Sequence, residues 1–300
     1  MFEKPQLSVI IASYNAERTI TACLKSLRNQ STDKSFETIV VDSSTDSTAK
    51  IVEERFPEVN LYRFSERKFC GDARNFGISV ANGEIIAFID ADCRADKDWV
   101  GEILRAHQSP DLAIGGAIAN GNPDSYVGWA AYFCEYSQWM PNMHSKPMTD
   151  IAGANMSYKR VVFEKYGGFI EGTYCSDTDF HWRLAENGHR LRLVASILIY
   201  HSSIDNLGRF LRHEFVHGRF FARVRMKSQK FSNLRRLTYA VFSFFIPLRL
   251  FLKIGLNNIK NRIYLYHFLK SLSLLILGLI SWSLGEYVGY IGGQPNEKNS

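Results

Sequence analysis

The chain has 300 residues, a net charge of +6 and an apolar share of 46%. This composition is sufficient for a packed core and excludes a disordered or collagen-like protein. The cysteines are scattered and never spaced Cys-x-x-Cys, which argues against a disulfide scaffold or a structural zinc site. They are Cys23, Cys70, Cys93, Cys134 and Cys175. Met1–Gln6 lacks the basic-then-apolar plan of a secretory signal, so we expect a reducing, cytosol-facing environment.

The N-terminal third alternates apolar runs with amphipathic segments. Strands are predicted over residues 7–15, 36–42, 59–64 and 85–89, and helices over 17–29, 47–56 and 72–82, with Gly83 as the C-cap of the last helix. The alternation predicts a doubly wound α/β domain with a mainly parallel sheet. No Gly-x-Gly-x-x-Gly follows the first strand and no P-loop motif occurs, so neither a dinucleotide fingerprint nor a Walker motif explains the fold.

Acidic residues stand at the ends of two predicted strands. Asp42 ends the second strand, and Asp90 and Asp92 follow the apolar run Ile85–Ile89. Ligands of open α/β sheets bind outside the carboxyl ends of the strands. Residues i and i+2 share a face, and two adjacent carboxylates repel unless a cation joins them. The pattern therefore favours a divalent ion that carries a phosphate, with an Asp-rich turn as the alternative.

Four segments in order resemble the motifs of family 2 glycosyltransferases, which have the GT-A (nucleotide-diphospho-sugar transferase) fold. They are Ser8–Asn15, Ile39–Asp46, Ala73–Gly77 and Phe88–Asp92. Each motif is weak singly, but four at fitting distances are specific, and the resemblance covers residues 7–205. It implies a GT-A catalytic domain over residues 1–205. We expect a basic and apolar helical extension over residues 206–300.

The resemblance implies a nucleotide pocket at the turns after the first two strands. Ser13 and Tyr14 would hold the base, with Tyr14 stacking on it or flanking it. Asp42 would accept a hydrogen bond from a ring N–H of the base, and Glu17 would lie at the same pocket. The alternative for Tyr14 is a half-buried aromatic side chain at a strand end.

The diphosphate and its metal are assigned from the same resemblance. Arg74 would lie near the base or diphosphate, or else on a solvated helix face. Asp90 would reach the ribose, and Asp92 would bind the divalent ion, Mg²⁺ or Mn²⁺. His201 matches the position of a metal-ligating histidine, although a capping or core histidine is the alternative. Imidazole is unusual for Mg²⁺ and acceptable to Mn²⁺.

Three further residues are implied for the sugar and the chemistry. Gly153 and Asn155 belong to a segment that lies beside the donor sugar in the family, where Asn155 would bind sugar hydroxyls or stabilise a turn. Asp177 stands in the position of the general base that opens a helix. Ser176 stands where the family commonly has a glutamate before this aspartate, which argues against a two-carboxylate division of labour and leaves Asp177 in the base position.

The C-terminal third is basic and apolar. Between Asp205 and Lys270 there are fourteen Lys or Arg residues and two acids, which favours a polyanion as partner. Apolar stretches beside this block favour an anionic membrane over nucleic acid, since RNA-binding aromatic signatures are absent. We expect helices in the cytoplasmic membrane interface, with a single span over 269–291 or ordinary packing helices as alternatives.

These features together predict an inverting, metal-dependent glycosyltransferase of the hexosyltransferase type. Its expected donor is a nucleoside-diphosphate sugar, with UDP as the nucleotide, and its acceptor is a glycan or lipid-linked glycan in surface polysaccharide assembly. We expect it at the cytoplasmic face of the membrane, with no nucleic-acid partner. The alternatives are a nucleotidyltransferase of related fold and a non-catalytic nucleotide-sugar-binding or scaffold subunit.

Overall fold

The computed structural model describes residues 4–292, which form two units. Unit 1 contains residues 4–121, 139–172 and 176–202, and unit 2 contains residues 122–138, 173–175 and 203–292. Three segments within the sequence range predicted for the catalytic domain, 122–138, 173–175 and 203–205, therefore group with the C-terminal helices. Met1–Glu3 of the N-terminal prediction and residues 293–300 of the predicted extension lie outside the described residues.

Unit 1 is built on one nine-stranded sheet. Its strands are β1 (Leu7–Ser13), β2 (Phe36–Asp42), β3 (Asn60–Arg63), β4 (Ile85–Ile89), β5 (Cys93–Ala95), β6 (Ala113–Asn120), β7 (Lys146–Met148), β8 (Asn155–Lys159) and β9 (Leu191–His201). Their order is β3-β2-β1-β4-β8-β6-β9-β5, and β7 pairs with β9.

The two halves of the sheet differ in strand direction. Strands β3, β2, β1 and β4 are parallel, as predicted. Strand β8 runs antiparallel to β4 and β6, whereas β6 and β9 are parallel and β5 and β7 are antiparallel to β9. The apolar runs at 191–194 and 197–200 form the single strand β9, whose pairing register with β6 shifts between Gly116 and Ala117.

The helices follow in chain order. They are α1 (Ile20–Arg28), α2 (Thr48–Arg55), α3 (Cys70–Val80), α4 (Trp99–Ala106), α5 (Tyr126–Tyr136), α6 (Val161–Tyr166), α7 (Ser176–Glu186), α8 (Leu207–Ser228), α9 (Asn233–Phe242), α10 (Ile246–Asn261) and α11 (Leu265–Ile291), with a 3₁₀ turn at Ser243–Phe245. Helix α1 buries the predicted apolar face of Ile20, Cys23, Leu24 and Leu27.

The prediction that Gly83 caps α3 is wrong. The C-cap residue is Ala81, and the chain has already left the helix at Gly83. Gly83 instead passes directly against β1, where its N–H donates to Ser8 Oγ over 2.8 Å. A Cβ atom at Gly83 would lie 2.6 Å from the Ser8 backbone nitrogen, so glycine is required here by close approach of two backbones.

The core of unit 1 lies where α3 and α7 cover one face of the sheet. Ile10, Ile39 and Phe88 from three parallel strands pack in one buried cluster with Met156 and Phe180. Because each of these strands is buried, the strand ends that carry the polar residues are held in fixed positions.

Unit 2 is helical, and its two longest helices pack at very short range. A Cβ atom at Gly218 of α8 would lie 2.2 Å from the carbonyl oxygen of Trp282, and one at Gly285 of α11 would lie 2.1 Å from that of Phe215. Small residues permit this backbone approach, as they do between membrane helices.

Two helical segments of unit 2, Asn233–Asn261 and Leu265–Ile291, are long and apolar enough to cross a membrane. The criterion is one of length and composition, which a core helix of a soluble protein can also meet. Within the described chain many of their large apolar side chains are exposed. In the first segment these are Leu234, Leu237, Val241, Phe242, Phe244, Phe245, Leu248, Leu252, Leu256 and Ile259.

Candidate active site

The polar residues predicted at the strand ends lie at one edge of the parallel half of the sheet. Ser13 at the end of β1 is in register with Asp42 at the end of β2. Asp90 follows β4, which pairs with the other side of β1. Strand order β2-β1-β4 therefore places Asp42 and Asp90 on either side of the turn that begins at Ser13.

The turns after β1 and β2 are joined by hydrogen bonds from backbone to side chain. Asn15 N–H donates to Ser44 Oγ over 2.7 Å, and Thr45 N–H donates to Asn15 Oδ1 over 2.9 Å. Ala16 N–H donates to Thr48 Oγ1 over 2.9 Å. Short polar side chains suit this role because they can replace backbone partners in turns. We call residues 13–17 and 43–48 together the turn pair.

Glu17 contributes to the turn pair rather than standing apart from it. Its N–H donates to Asp46 Oδ2 over 3.2 Å, and Ser47 N–H donates to Glu17 Oε2 over 3.3 Å. Glu17 is exposed, so its carboxylate links the two turns at the surface of the predicted nucleotide pocket.

Three predicted nucleotide-binding residues line this edge with different exposure. Asp42 is 2% exposed, and its carboxylate accepts hydrogen bonds from Ser44 N–H and Ser44 Oγ. Ser13 Oγ is buried and has no hydrogen-bond partner among residues 4–292. Tyr14 is 41% exposed, and the Arg67 guanidinium lies 4.5 Å from its ring centroid. Arg67 escaped the sequence reasoning because no motif marks it.

Arg74 is buried, so the alternative of a solvated helix face is wrong. Its Nη2 donates to Asp90 Oδ1 and to the Gly153 carbonyl, each over 3.0 Å. Burial alone would lower the pKa of Arg74, but Asp90 above all, with smaller contributions from Cys70 and Asp177, raises it above its usual value. Burial raises the pKa of Asp90, Arg74 opposes that shift, and Asp92 adds to it. The pair fixes Asp90 to the segment that contains Gly153.

Asp92 and His201, the two predicted metal ligands, lie close together. His201 Nε2 is 3.5 Å from Asp92 Oδ1, and Cys93 Sγ is 3.7 Å from the same oxygen. One ligand atom from each of the three residues lies within 4.8 Å of the others. The antiparallel pairing of Cys93 with His201 produces this proximity.

This donor set fits a divalent ion. A carboxylate oxygen with an imidazole suits Mn²⁺ and is also compatible with other divalent ions. Burial raises the pKa of the Cys93 thiol well above its usual value, and Asp92 and Asp90 raise it further. The neutral thiol is a poor ligand for a hard ion, so Asp92 and His201 are the candidate ligands.

Asp177 is the second residue of α7 and is half-buried. It faces Gly153: a Cβ atom built on Gly153 would lie 2.4 Å from Asp177 Oδ2 and 3.3 Å from Arg74 Nη2. The structure thus brings the predicted base, the predicted sugar-side glycine and the Arg74–Asp90 pair into one cluster.

Helix α7 is held in place by the buried side chain of His181, which the sequence did not single out. His181 is fully buried; its Nε2 lies 2.6 Å from Tyr158 Oη, and its Nδ1 contacts the Asp150 carboxylate. Arg183 forms an ion pair with Asp179 at 3.0 Å. The only available signal was the position of His181 one helical turn after Asp177.

Asn155 corrects a predicted assignment. It is buried, its Nδ2 donates to the carbonyl oxygens of Ala117 and Ile197 over 2.9 Å each, and its Oδ1 accepts from Trp99 Nε1 over 2.9 Å. Both carbonyls lie at the register shift between β6 and β9. Because both amide hydrogens are used there, Asn155 stabilises the sheet and is not turned toward sugar hydroxyls.

Substituting Gly153 by Ala is expected to lower the turnover number by about 100-fold, because the added methyl group must displace the Asp177 carboxylate. Nucleotide affinity should change less, since the atoms nearest the added methyl group belong to Asp177 and Arg74 and not to the turn pair. Steady-state kinetics and nucleotide titration measure the two effects. Gly101→Ala is the matched control, since its Cβ would meet nothing within 4 Å. A Gly153→Ala protein with a turnover number within twofold of the wild type contradicts this placement of Asp177.

The fold is shared with solved nucleotide-sugar enzymes. Mannosyltransferase PcManGT from Pyrobaculum calidifontis, in complex with GDP-Man and Mn²⁺, aligns over 95% of this chain and 88% of its own with a TM-score of 0.63 and 18% identity. S. aureus TarS 1-349 in complex with UDP-GlcNAc aligns over 96% of this chain and 92% of its own, with a TM-score of 0.55 and 18% identity. The predicted GT-A fold is confirmed at this level.

Sequence relatives point the same way. The putative glycosyltransferase EpsH of Bacillus subtilis is 41% identical over 115 residues, which cover 37% of this chain and 33% of that protein. Glycosyltransferase AglE of Haloferax volcanii is 28% identical over 225 residues, 72% of each chain. The match to EpsH thus spans about a third of that relative's length. Residues 8–167 match the model of glycosyl transferase family 2, and the chain belongs to this family.

Proposed function

We propose that this chain is an inverting glycosyltransferase that moves a sugar from a nucleoside-diphosphate sugar to a hydroxyl group of a glycan or lipid-linked glycan. The observation that carries the proposal is the cluster of Asp177, Gly153 and the Arg74–Asp90 pair, with Asp92 two residues beyond. It joins a half-buried carboxylate to the edge of the sheet where the family binds nucleotides.

The chemistry needs one displacement. The acceptor hydroxyl oxygen attacks the anomeric carbon, the bond from that carbon to the diphosphate oxygen breaks, and the electron pair leaves with the nucleoside diphosphate. Asp177 Oδ2 takes the hydroxyl proton as the new bond forms, which is general-base catalysis. Attack from the face opposite the leaving group inverts the anomeric configuration.

The residues at the metal site support a divalent ion as cofactor. Asp92 and His201 would hold it, and it would neutralise charge on the departing diphosphate. Asp42 together with Ser13 and Tyr14 of the turn pair would receive the base, and the Ser13 hydroxyl has a hydrogen bond to offer that no group within residues 4–292 uses. UDP remains the expected nucleotide. The TarS complex contains UDP-GlcNAc and the PcManGT complex contains GDP-Man, so both nucleotides require testing.

The decisive experiment measures donor hydrolysis and transfer with a panel of UDP- and GDP-sugars, with and without a chelator. We expect turnover with a UDP-sugar that stops on chelation and returns with Mn²⁺ or Mg²⁺. Turnover that is indifferent to the chelator would exclude the metal. A chain that binds nucleotide sugars without turning over any of them would instead be a non-catalytic binding subunit.

Asp92→Asn is expected to abolish the metal-dependent part of donor affinity, because the amide loses the charge that attracts the ion. Titration of the donor with and without Mn²⁺ measures how much Mn²⁺ increases donor affinity, and this increase should fall by at least about tenfold. Asp98→Asn is the matched control, since Asp98 is an exposed carboxylate nearby that caps no helix through its side chain. Equal metal dependence in Asp92→Asn and wild type would remove Asp92 from the site.

We further propose that unit 2 associates with the cytoplasmic face of a membrane. The exposed apolar residues of Asn233–Asn261 support this location because they can be buried in lipid hydrocarbon. The basic residues of α8 support it because they attract anionic lipid head groups. Membranes that contain the protein should be washed separately with high salt and with carbonate. An embedded tail resists both treatments, and release by salt alone would reduce the association to surface electrostatics.

A further inference from the structure

A second cluster of potential metal ligands lies in unit 2, within helices α5 and α8. Residues 213–217 of α8 read His-Glu-Phe-Val-His. In a helix, this spacing places His213 and His217 one turn apart on the same face, an arrangement used by metal-binding helices. The two imidazole rings lie 4.0 Å apart between centroids. Because such a short pattern is common, the residues around it must indicate whether it binds a metal.

Helix α5 contributes a carboxylate to this face. Glu135 Oε1 lies 3.5 Å from His213 Nδ1, and Glu214 Oε1 lies 3.8 Å from the same nitrogen. Ligand atoms of Glu135, His213 and Glu214 all lie within 4.8 Å of one another. Zinc bonds of about 2.0–2.1 Å in tetrahedral geometry place ligand atoms roughly 3.3 Å apart, so small side-chain movements would suffice.

Glu214 provides the independent observation. It is 2% exposed, and its Oε1 accepts no hydrogen bond from any residue between 4 and 292. Its ion-pair partner His213 is 3.8 Å away, a buried carboxylate oxygen without a hydrogen bond is unfavourable, and the Glu135 carboxylate in the same cluster adds repulsion. A protonated His213 or a bound cation can remove this penalty, and a metal cation would bind the imidazole nitrogen and both carboxylates directly.

We propose that Glu135, His213 and Glu214 form a binding site for a divalent transition metal ion such as Zn²⁺, with His217 as the adjacent imidazole. Mixed carboxylate and imidazole ligands suit this class of ion. The ion would join α5 to α8 within unit 2. This site is separate from the Asp92–His201 site of unit 1, and the proposal does not depend on the glycosyltransferase chemistry.

The test uses the full chain, purified in detergent and stripped with a chelator. Zn²⁺ and Co²⁺ are titrated in the absence of nucleotide, with bound metal counted by mass spectrometry and Co²⁺ ligation followed by its visible absorption bands. We expect one tightly bound equivalent in wild type and in Asp92→Asn. Glu135→Gln and Glu214→Gln should each bind at least about tenfold more weakly, whereas the surface control Glu54→Gln should match wild type.

Thermal melting provides a second measurement. Zn²⁺ should raise the melting temperature of wild type and Asp92→Asn, and at the same Zn²⁺ concentration it should raise that of Glu135→Gln by less, because stabilisation by a ligand falls as its affinity for the folded site falls. If Glu135→Gln fails to fold, His213→Gln replaces it in both experiments. Unchanged affinity in the Glu135, His213 and Glu214 variants overturns the proposal. Loss of all metal in Asp92→Asn also overturns it, since the ion then belongs to unit 1.

Discussion

Asp177→Asn is expected to lower the turnover number by roughly 1,000-fold, because an amide cannot accept the proton of the attacking hydroxyl. Asn retains the size of the side chain, so its contact with Gly153 is preserved and donor affinity should stay within about twofold. Loss of a carboxylate from the first turn of α7 costs about 0.3–1 kcal/mol of helix stabilisation, too little to unfold unit 1. Single-turnover kinetics with saturating donor measure the effect.

The control for this experiment is Glu186→Gln, an exposed carboxylate in the last turn of the same helix. It should transfer sugar at the rate of the wild type. If Asp177→Asn also does so, another group removes the proton and the assignment of Asp177 as base fails. A parallel loss of donor affinity would indicate that Asp177 binds the donor and does not act solely as a base.

Arg74→Met is expected to lower the melting temperature by roughly 6–12 °C, from a loss of about 3 kcal/mol of stability. The change leaves the Asp90 carboxylate and the Gly153 carbonyl without their shared donor. Met keeps an unbranched apolar chain but also loses the guanidinium contacts with the Phe88 and Phe169 rings, whose centroids lie 5.8 and 5.9 Å from Arg74 Cζ, so the loss reports the whole guanidinium. Thermal unfolding followed by circular dichroism measures it.

Arg94→Met is the matched control, since Arg94 is exposed and lies over the Tyr200 ring at 5.4 Å; its loss should cost under about 0.5 kcal/mol. The double variant Arg74→Met/Asp90→Asn should recover part of the stability, because the unpaired charge is then removed. An Arg74→Met protein with the melting temperature of the wild type would show that this ion pair contributes nothing to stability, which is the behaviour of many exposed ion pairs.

The parallel half of the sheet could be predicted from the sequence because its signals are local. The run Ile85–Ile89 identifies a buried strand, and Asp90 and Asp92 directly after it mark the edge where ligands bind. The placement of Asp42 beside Ser13 follows from the same rule. These inferences need only the periodicity and the end of each strand, together with the rule that parallel strands end at one edge.

The remaining features depend on contacts between distant residues. The role of Asn155 is set by carbonyls 38 and 42 residues away and by Trp99, at a register shift that no periodicity reveals. The partnership of His181 with Asp150 arises from tertiary packing in the same way. Gly83 was predicted as a helix cap because glycine is common just after helices, but the structure requires glycine here because the backbone passes close to that of Ser8. In each case tertiary structure overrides a local preference.

The hydrogen bonds within the turn pair bear on how a ligand would be received. Asn15, Ser44 and Thr45 hold the two turns against each other through hydrogen bonds within the protein. Binding sites made from loops commonly lose affinity because those loops must be ordered on association. Here folding itself has already restricted the chain. The nucleotide would meet a preorganised surface, and the dissociation of nucleotide alone should proceed without a slow loop-opening step.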